Sequence, residues 1–271
     1  MELKRLKERW INTIEKNEER QIRMWDSRAE EFDKKPVPDK DDNPFLKYMW
    51  EKAEPQDFMS ALDIGCGAGQ YSLALAQYIS STMGTDVSPA MIEAAVKRAG
   101  SMGVENAEFT ALDWAKADID SLDWKGAFDI VFAHMTPAIC DYHTLDMMNE
   151  CSRGHCFLVK PSRRTDRILD GALSAIDIAG RRQRADDTVL NIFEYLWLKG
   201  FTPEVTVRDE DWVIERTEKE MAAWCEDSAG MYRDVTPQDR EKLRQYISAY
   251  AADGKVTETV STKIVTIYWH V

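Results

Sequence analysis

An α/β fold, with a parallel sheet covered by helices on both faces, is predicted by the central part of this 271-residue chain. Between about residue 58 and residue 161, short apolar runs alternate with helix-like segments, the pattern of successive strand–helix units. The first run leads into the glycine-rich stretch ALDIGCGAGQ (residues 61–70), which is typical of a tight turn from a buried strand into a helix. Because ligands of such sheets bind outside the carboxyl ends of the strands, we expect the functional residues in the turns that follow each strand.

The glycine-rich turn indicates a ligand that comes close to the backbone, since Gly65, Gly67 and Gly69 carry no Cβ. A dinucleotide site needs a third glycine in the pattern G-x-G-x-x-G, and Gln70 occupies that position. No G-K-[ST] sequence for a nucleoside triphosphate is present at the turn. Asp63, at the end of the strand, favours a cationic ligand, although a plain tight turn is the alternative explanation of the glycines alone.

The stretch LDIGCGAG (residues 62–69) resembles the first motif of the class I S-adenosylmethionine-dependent methyltransferases. The resemblance implies a Rossmann-like, seven-stranded, mostly parallel sheet in which the last strand is antiparallel. It also implies S-adenosyl-L-methionine as the cofactor and S-adenosyl-L-homocysteine as the product. The cofactor-binding residues of this motif would be Asp63, Gly65, Cys66, Gly67 and Gly69, with Cys66 as a small packing residue.

A second acid follows the glycine-rich turn by about 20 residues, the spacing expected of a ribose-binding acid. This acid is Asp86, in the stretch GTDVSP (residues 84–89), and its carboxylate can accept hydrogen bonds from both ribose hydroxyls. Ser88 predicts the N-cap of a helix with proline at its first position. We expect Val87 and Met91 to line the adenine pocket.

The third predicted strand, AEFTA (residues 107–111), leads to Asp113. The resemblance implies that the Asp113 carboxylate accepts a hydrogen bond from the exocyclic amine of adenine. Trp114 follows, and its ring is expected either against the adenine or in simple packing, since tryptophan buries a large area wherever it lies.

The fourth predicted strand, FDIVFA (residues 128–133), ends at His134, which should face the transferable methyl group. An ordinary histidine, with a pKa near ~6.5, can act as a general base at neutral pH. His134 is therefore a candidate catalytic residue. The alternative is that it forms a wall of the pocket, because transfer to a competent nucleophile needs only alignment and desolvation.

The N-terminal residues 1–55 are strongly charged and are expected to form a helical lid, and residues 56–271 the Rossmann-like methyltransferase domain. The segment MWDSRAEEFD (residues 24–33) resembles the W-D-x-R-A-x-x-[FY]-D entry of small-molecule methyltransferases, which folds over the cofactor. Trp25 is thus expected to close the site, and Arg28 to bind the methionine carboxylate. In the alternative interpretation this segment only attaches the helix to the sheet. A preceding apolar stripe predicts a docking helix with Leu3, Leu6, Trp10 and Ile14.

The C-terminal half carries less specific signals. A fifth strand is predicted over residues 154–160, ended by Pro161. The arginine-rich residues 162–187 indicate either a solvated helix face or a site for a substrate carboxylate or phosphate. A helical insertion over about residues 217–252, before a last strand, is expected either to roof the acceptor pocket or to form a dimer surface.

Composition limits the partners. The chain has 48 acidic and 35 basic residues, for a formal net charge of −13. We therefore do not expect nucleic acid as a substrate. No apolar run approaches ~20 residues, which predicts neither a membrane span nor membrane binding, and we expect a cytoplasmic monomer or homodimer.

The five cysteines form no C-x-x-C pair, and we expect no metal. The cluster of residues 140–143 could bind a metal, but Asp141 as a helix N-cap explains it better.

Two functions remain open from the sequence. The first is an enzyme that moves a methyl group from S-adenosylmethionine to a small-molecule acceptor by in-line displacement. The second is an S-adenosylmethionine-binding protein without methyl transfer, such as a sensor. The stretch HMTP (residues 134–137) stands where an N-P-P-[YF] motif would signal amino-methylation, so the acceptor atom is not identified.

Overall fold

The computed structural model describes residues 2–11, 18–178 and 181–271, without the side chains of residues 18, 20 and 181–185. One sheet has the strand order β3-β2-β1-β4-β5-β7-β6. Its strands are β1 (Ser60–Ile64), β2 (Ser81–Asp86), β3 (Ala107–Ala111), β4 (Phe128–His134), β5 (Ser152–Asp166), β6 (Glu204–Thr217) and β7 (Lys255–His270). β7 is antiparallel to both of its neighbours, and the other pairs are parallel. The predicted seven-stranded fold is therefore confirmed.

The helices begin at the positions that their capping residues indicate. The Ser88 hydroxyl accepts the Met91 N–H at 3.1 Å, and Asp141, Thr217 and Thr236 cap three further helices. None of the described helices is long and apolar enough to cross a membrane. The helices are α1 (Glu2–Arg9), α2 (Glu18–Asp26), α3 (Ala29–Asp33), α4 (Pro44–Ala53), α5 (Gln70–Ala76), α6 (Pro89–Met102), α7 (Tyr142–Cys151), α8 (Arg167–Ala175), α9 (Arg181–Leu198), α10 (Glu218–Gly230) and α11 (Pro237–Ser248).

Both faces of the sheet are buried, as expected for central parallel strands. In β4, Val131 belongs to the core on one face and Phe132 to the core on the other. The N-terminal residues contribute to both cores, because Trp10 packs on Tyr195 of α9 and α4 buries Phe45 against Phe132. α2 and α3 instead lie against α6 at the edge of the glycine-rich turn. Ile14 of the predicted docking stripe lies outside the described residues.

The prediction that Pro161 ends the fifth strand is wrong. β5 continues to Asp166, and Pro161 lies opposite Ile264 of β7. β4 ends at His134, which is opposite Val159, so β5 has an unpaired edge from there on. An edge position tolerates the missing N–H of proline.

The last three strands continue to pair with one another beyond the end of β4. We call this part of the sheet the arm, which comprises residues 161–166, 208–217 and 255–264. α8, α10 and α11 pack on it around a small core of their own, which includes Leu169 and Leu243. The predicted insertion of residues 217–252 corresponds to α10 and α11.

Candidate functional site

The glycine-rich turn requires glycine for two separate reasons. Gly65 and Gly69 have φ values of +73° and +75°, in the left-handed region that favours glycine. A Cβ on Gly65 would lie 2.0 Å from Oγ1 of Thr136, and a Cβ on Gly69 would lie 2.8 Å from the Phe109 ring. Gly67 (φ +54°) faces the Phe32 ring, which a Cβ there would meet at 3.4 Å. The turn thus packs tightly on β3, on the segment after β4 and on α3.

One cavity of about 1730 Å³ lies along the carboxyl ends of β1, β2 and β4. Gly69 is not part of its wall and serves packing instead. The other predicted site residues all line it: Trp25, Arg28, Asp63, Gly65, Cys66, Gly67, Asp86, Val87, Met91, Asp113, Trp114 and His134.

Two carboxyl groups, the buried Asp63 and the half-buried Asp86, face this cavity from neighbouring strands. Asp63 is 2% exposed and accepts a hydrogen bond from the Ser72 hydroxyl at 2.7 Å. Burial raises the pKa of Asp63 to about 7, with a smaller contribution from the negative charge of Asp86. Burial also raises the pKa of Asp86. Both acids would be stabilised in their ionised form by a bound cation.

Asp86 also organises the glycine-rich turn. Its Oδ2 accepts the Gly67 N–H at 3.0 Å, and its Oδ1 accepts the Ser88 N–H at 2.9 Å. Each carboxylate oxygen keeps a further lone pair that can accept a hydroxyl. The carboxylate therefore connects the turn, the start of α6 and the cavity.

The predicted adenine pocket has an apolar floor and an exposed acidic rim. Met91 is 1% exposed and packs with Trp25 and Phe32 of α2 and α3. The Asp113 side chain accepts the Ala115 N–H at 3.2 Å, and its carboxylate lies 3.7 Å from Lys116. The Trp114 ring is buried, and its Nε1–H donates to the carbonyl of Thr144 at 3.0 Å.

His134 lies between two aromatic rings, with centroid distances of 4.8 Å to Phe45 and 4.2 Å to Tyr71. Its Nε2 atom is buried without a hydrogen-bond partner among the described residues. Burial, with a smaller contribution from the charge of Arg208, lowers the pKa of His134 to about 3. The imidazole is neutral at physiological pH and is a weak base there.

The segment after β4 is held in an unusual conformation. Met135 has a φ of 55°, which is uncommon for a residue with a side chain. Lys160 is buried and donates to the carbonyls of Thr136 and Ile139, at 2.6 Å and 2.7 Å. This ammonium fixes the segment against Gly65.

α2 and α3 cover the glycine-rich turn. Ser88 donates its hydroxyl hydrogen to Asp26 at 2.6 Å, which attaches the end of α2 to the start of α6. Arg98 of α6 donates to the carbonyls of Phe32, Lys35 and Ala68. Arg28 lies 3.3 Å from Glu31 and 5.1 Å from the Trp224 ring of α10. Its predicted role toward the methionine carboxylate stays a prediction.

The arm and α10 close the other end of the cavity, with an aromatic and charged lining that includes Trp212, Trp224, Arg164, Arg216 and Glu258. The Arg164 guanidinium lies 5.5 Å from the Trp212 ring centroid, and that of Arg216 lies 5.4 Å from Trp224. The sequence predicts Trp224 on one face of a helix and Arg164 within an arginine-rich stretch, and it gives neither an individual role. The long register of β6 on β7 brings Trp212, Arg216 and Glu258 together.

The described residues fit the expected cofactor. The cavity wall combines a backbone without Cβ atoms, an apolar floor, and two acids, Asp63 and Asp86, that have no cationic partner within the described part of the chain. These features suit a ligand with a ribose, an adenine and positive charge. Among residues 2–11, 18–178 and 181–271, no group of three or more His, Cys, Asp or Glu is arranged to hold a metal ion.

The chain resembles known proteins both in sequence and in fold. A family described as "Methyltransferase domain" matches residues 55–243. The YcgJ protein of Bacillus subtilis has the same fold, with a TM-score of 0.54 and 19% identity over 83% of this chain and 96% of that chain. An S-adenosylmethionine-dependent methyltransferase of Aquifex aeolicus gives a TM-score of 0.50 and 16% identity over 67% and 90% of the two chains.

A shorter similarity links the chain to a 23S rRNA (uracil(1939)-C(5))-methyltransferase of a Marinomonas species. The two are 37% identical over 67 residues, which is 25% of this chain. The match spans only 15% of the length of that relative.

Proposed function

Since the chain belongs to the methyltransferase-domain family, we propose that it is a class I S-adenosylmethionine-dependent enzyme that methylates a small-molecule acceptor. The main support for this proposal is one continuous cavity, which extends from the glycine-rich turn to the arm and α10. Its volume of about 1730 Å³ exceeds the ~300–1,000 Å³ of a typical small-molecule site. There is room for the methyl donor and for a second small molecule.

The residues at the turn would hold the donor. Asp86 would accept the ribose hydroxyls, Asp63 would attract the positive charge, and Val87 and Met91 would contact the adenine. When bound, S-adenosylmethionine supplies an electrophilic methyl group on a sulfonium centre. Asp113 is the proposed acceptor for the exocyclic amine of adenine, at the exposed rim of the same pocket.

The protein promotes the transfer through alignment and exclusion of water. His134 is neutral and enclosed by Phe45 and Tyr71, which supports a role as a wall rather than as a general base. A nearby positive charge would disfavour its protonation further. Trp25 and Phe32 cover the turn and exclude solvent, and an enclosed, aligned pair of reactants accelerates substitution without a base.

A small acceptor is favoured over nucleic acid by charge and by enclosure. The chain has a formal net charge of −13, so a phosphate backbone would be repelled by the protein as a whole. The similarity to an rRNA methyltransferase covers only 67 residues of this chain.

Methyl-labelled S-adenosylmethionine offers a direct test. The enzyme is incubated with it and, in parallel, with the metabolite, protein and RNA fractions of one cell extract, and a Gly65→Ala variant serves as the inactive control. We expect label in the metabolite fraction together with release of S-adenosylhomocysteine. Label in the RNA or protein fraction would contradict a small-molecule acceptor. Donor binding without transfer to any fraction would favour a binding protein instead.

A further inference from the structure

The arm presents one arginine to the cavity by means of a β-bulge. The register between β5 and β7 shifts between Ser162 and Thr165, which lie opposite Lys263 and Ser261, so β5 contains one extra residue there. Arg163, inside the bulge, has a φ of 48°, a strained value for a residue with a side chain. A bulge can redirect a side chain, and the following Arg164 lines the cavity.

A second arginine lines the same wall from β6. Arg216 lies 3.1 Å from Glu258 of β7, and Arg164 lies 3.5 Å from Asp166 of β5. Both carboxyl groups are buried, with exposures of 1% for Glu258 and 0% for Asp166. The four side chains form a compact cluster, which we call the arginine–acid cluster.

Glu258 has a reduced tendency to ionise within the arginine–acid cluster. Burial, together with a hydrogen bond to Asp166 and the negative charge of Asp166, raises the pKa of Glu258 to about 8. Arg164 and Arg216 act in the opposite direction, and Asp170 of α8 accepts the backbone N–H of Asp166. Protonation of Glu258 at pH 7 therefore removes one negative charge from beside the two guanidinium groups.

Other acids of the cavity wall already have partners. Glu210 accepts from Arg208 and from the Trp212 indole, at 2.9 Å and 2.7 Å. Glu215 pairs with Lys255 at 2.7 Å, outside the cluster. The remaining acids of this wall are Glu31, paired with Arg28, Glu220, which accepts from Thr217, and Asp227 of α10.

We propose that Arg164 and Arg216 bind a carboxylate group of the acceptor, whose apolar body lies against Trp212 and Trp224. Guanidinium groups match carboxylates in geometry and charge. The indole Nε1–H of Trp224 is buried without a hydrogen-bond partner among the described residues, so it can donate to an oxygen of the same group. This inference rests on the proposed function, because it assigns the acceptor end of the same cavity.

Calorimetric titrations with three probes test the assignment. Benzoate, benzamide and phenyl phosphate are each titrated into the enzyme saturated with S-adenosylhomocysteine. We expect benzoate to bind about tenfold more tightly than benzamide, because hydrogen bonds to a charged group are stronger than those to a neutral one. Tighter binding of phenyl phosphate than of benzoate would overturn the carboxylate assignment.

Variants of Arg164 and Arg216 test whether these two residues cause the preference for benzoate over benzamide. Arg164→Gln and Arg216→Gln should each abolish the preference for benzoate, whereas Arg244→Gln, an exposed arginine of α11, should retain it. Thermal denaturation and binding of S-adenosylhomocysteine report whether each variant is folded. If Arg164→Gln is folded and keeps the tenfold preference, the proposal is wrong.

The pH dependence of benzoate binding distinguishes a ligand-binding role of the arginine–acid cluster from a purely structural one. Above pH 8, Glu258 loses its proton, and the added negative charge should weaken binding of benzoate but not of benzamide. In Glu258→Gln the preference for benzoate should persist to about pH 9. Equal binding of benzoate and benzamide to the wild type, with S-adenosylhomocysteine bound, would overturn this inference and leave the proposed function intact. Loss of donor binding would instead contradict the proposed function.

Discussion

The two ends of the cavity are built in different ways. The glycine-turn end consists of residues that directly follow β1, β2 and β4, so short local stretches of sequence define its shape. The arm end brings together Arg164, Trp212 and Glu258 from three long strands, through register and a bulge. Substitutions at the first end should therefore affect binding of the methyl donor. Substitutions at the arm end should affect the acceptor and leave the donor in place.

The largest effect is expected at Gly65. Gly65 and Gly254 have the same φ of +73°, but a Cβ at Gly65 would meet Thr136 at 2.0 Å, whereas one at Gly254 has open space. Gly65→Ala should thus weaken donor binding by more than about a hundredfold and lower the free energy of unfolding by ~3 kcal/mol. Gly254→Ala, in the turn just before β7, should cost only the ~1 kcal/mol of an unfavourable φ. Calorimetry and urea unfolding measure both. Equal losses in the two variants would show that steric contact at the turn is unimportant.

A smaller effect is expected from pH at Asp63. Its pKa is raised to about 7, so above that pH the carboxylate is ionised and attracts the cationic donor, and below it the attraction is lost. Donor affinity should fall up to about tenfold per pH unit as pH is lowered from 7 toward 5, with a further contribution from Asp86. Asp63→Asn should flatten this dependence. An unchanged slope in Asp63→Asn would remove Asp63 as the partner of the positive charge.

The smallest effect is expected at His134. Phenylalanine preserves the ring between Phe45 and Tyr71, so His134→Phe should change kcat by less than about threefold and leave the pH–rate profile unchanged. His143→Phe, at an exposed histidine of α7, is the matched control. A hundredfold loss of kcat in His134→Phe alone would restore the general-base hypothesis.

The elements of the glycine-turn end could be predicted because the signals for them are local. Ser88 with Pro89 indicates a helix start, and Asp86 lies at the end of a strand. The seven-stranded order agrees with the family resemblance. The individual contacts of Asp63, Asp86 and Asp113 with a cofactor stay predictions. Their position in one cavity is what the structure adds.

The arm could not be predicted in the same way. Pro161 suggested the end of a strand, because the sequence does not reveal that β4 stops opposite Val159 and leaves an edge. The bulge before Thr165 depends on the register against β7, which is a long-range property. The contact of Arg216 with Glu258 also depends on strand register, so the composition of the chain could not predict it.

One titration tests directly whether the methyl donor binds at the glycine-turn end independently of the arm end. S-adenosylmethionine is titrated into the wild type, Asp86→Asn and Trp212→Ala. We expect about ten- to a hundredfold weaker binding in Asp86→Asn, because the glycine-rich turn loses a carboxylate acceptor, and binding within about twofold of wild type in Trp212→Ala. Comparable losses in both variants, or an unchanged affinity in Asp86→Asn, would contradict the assignment of the donor to the glycine-turn end.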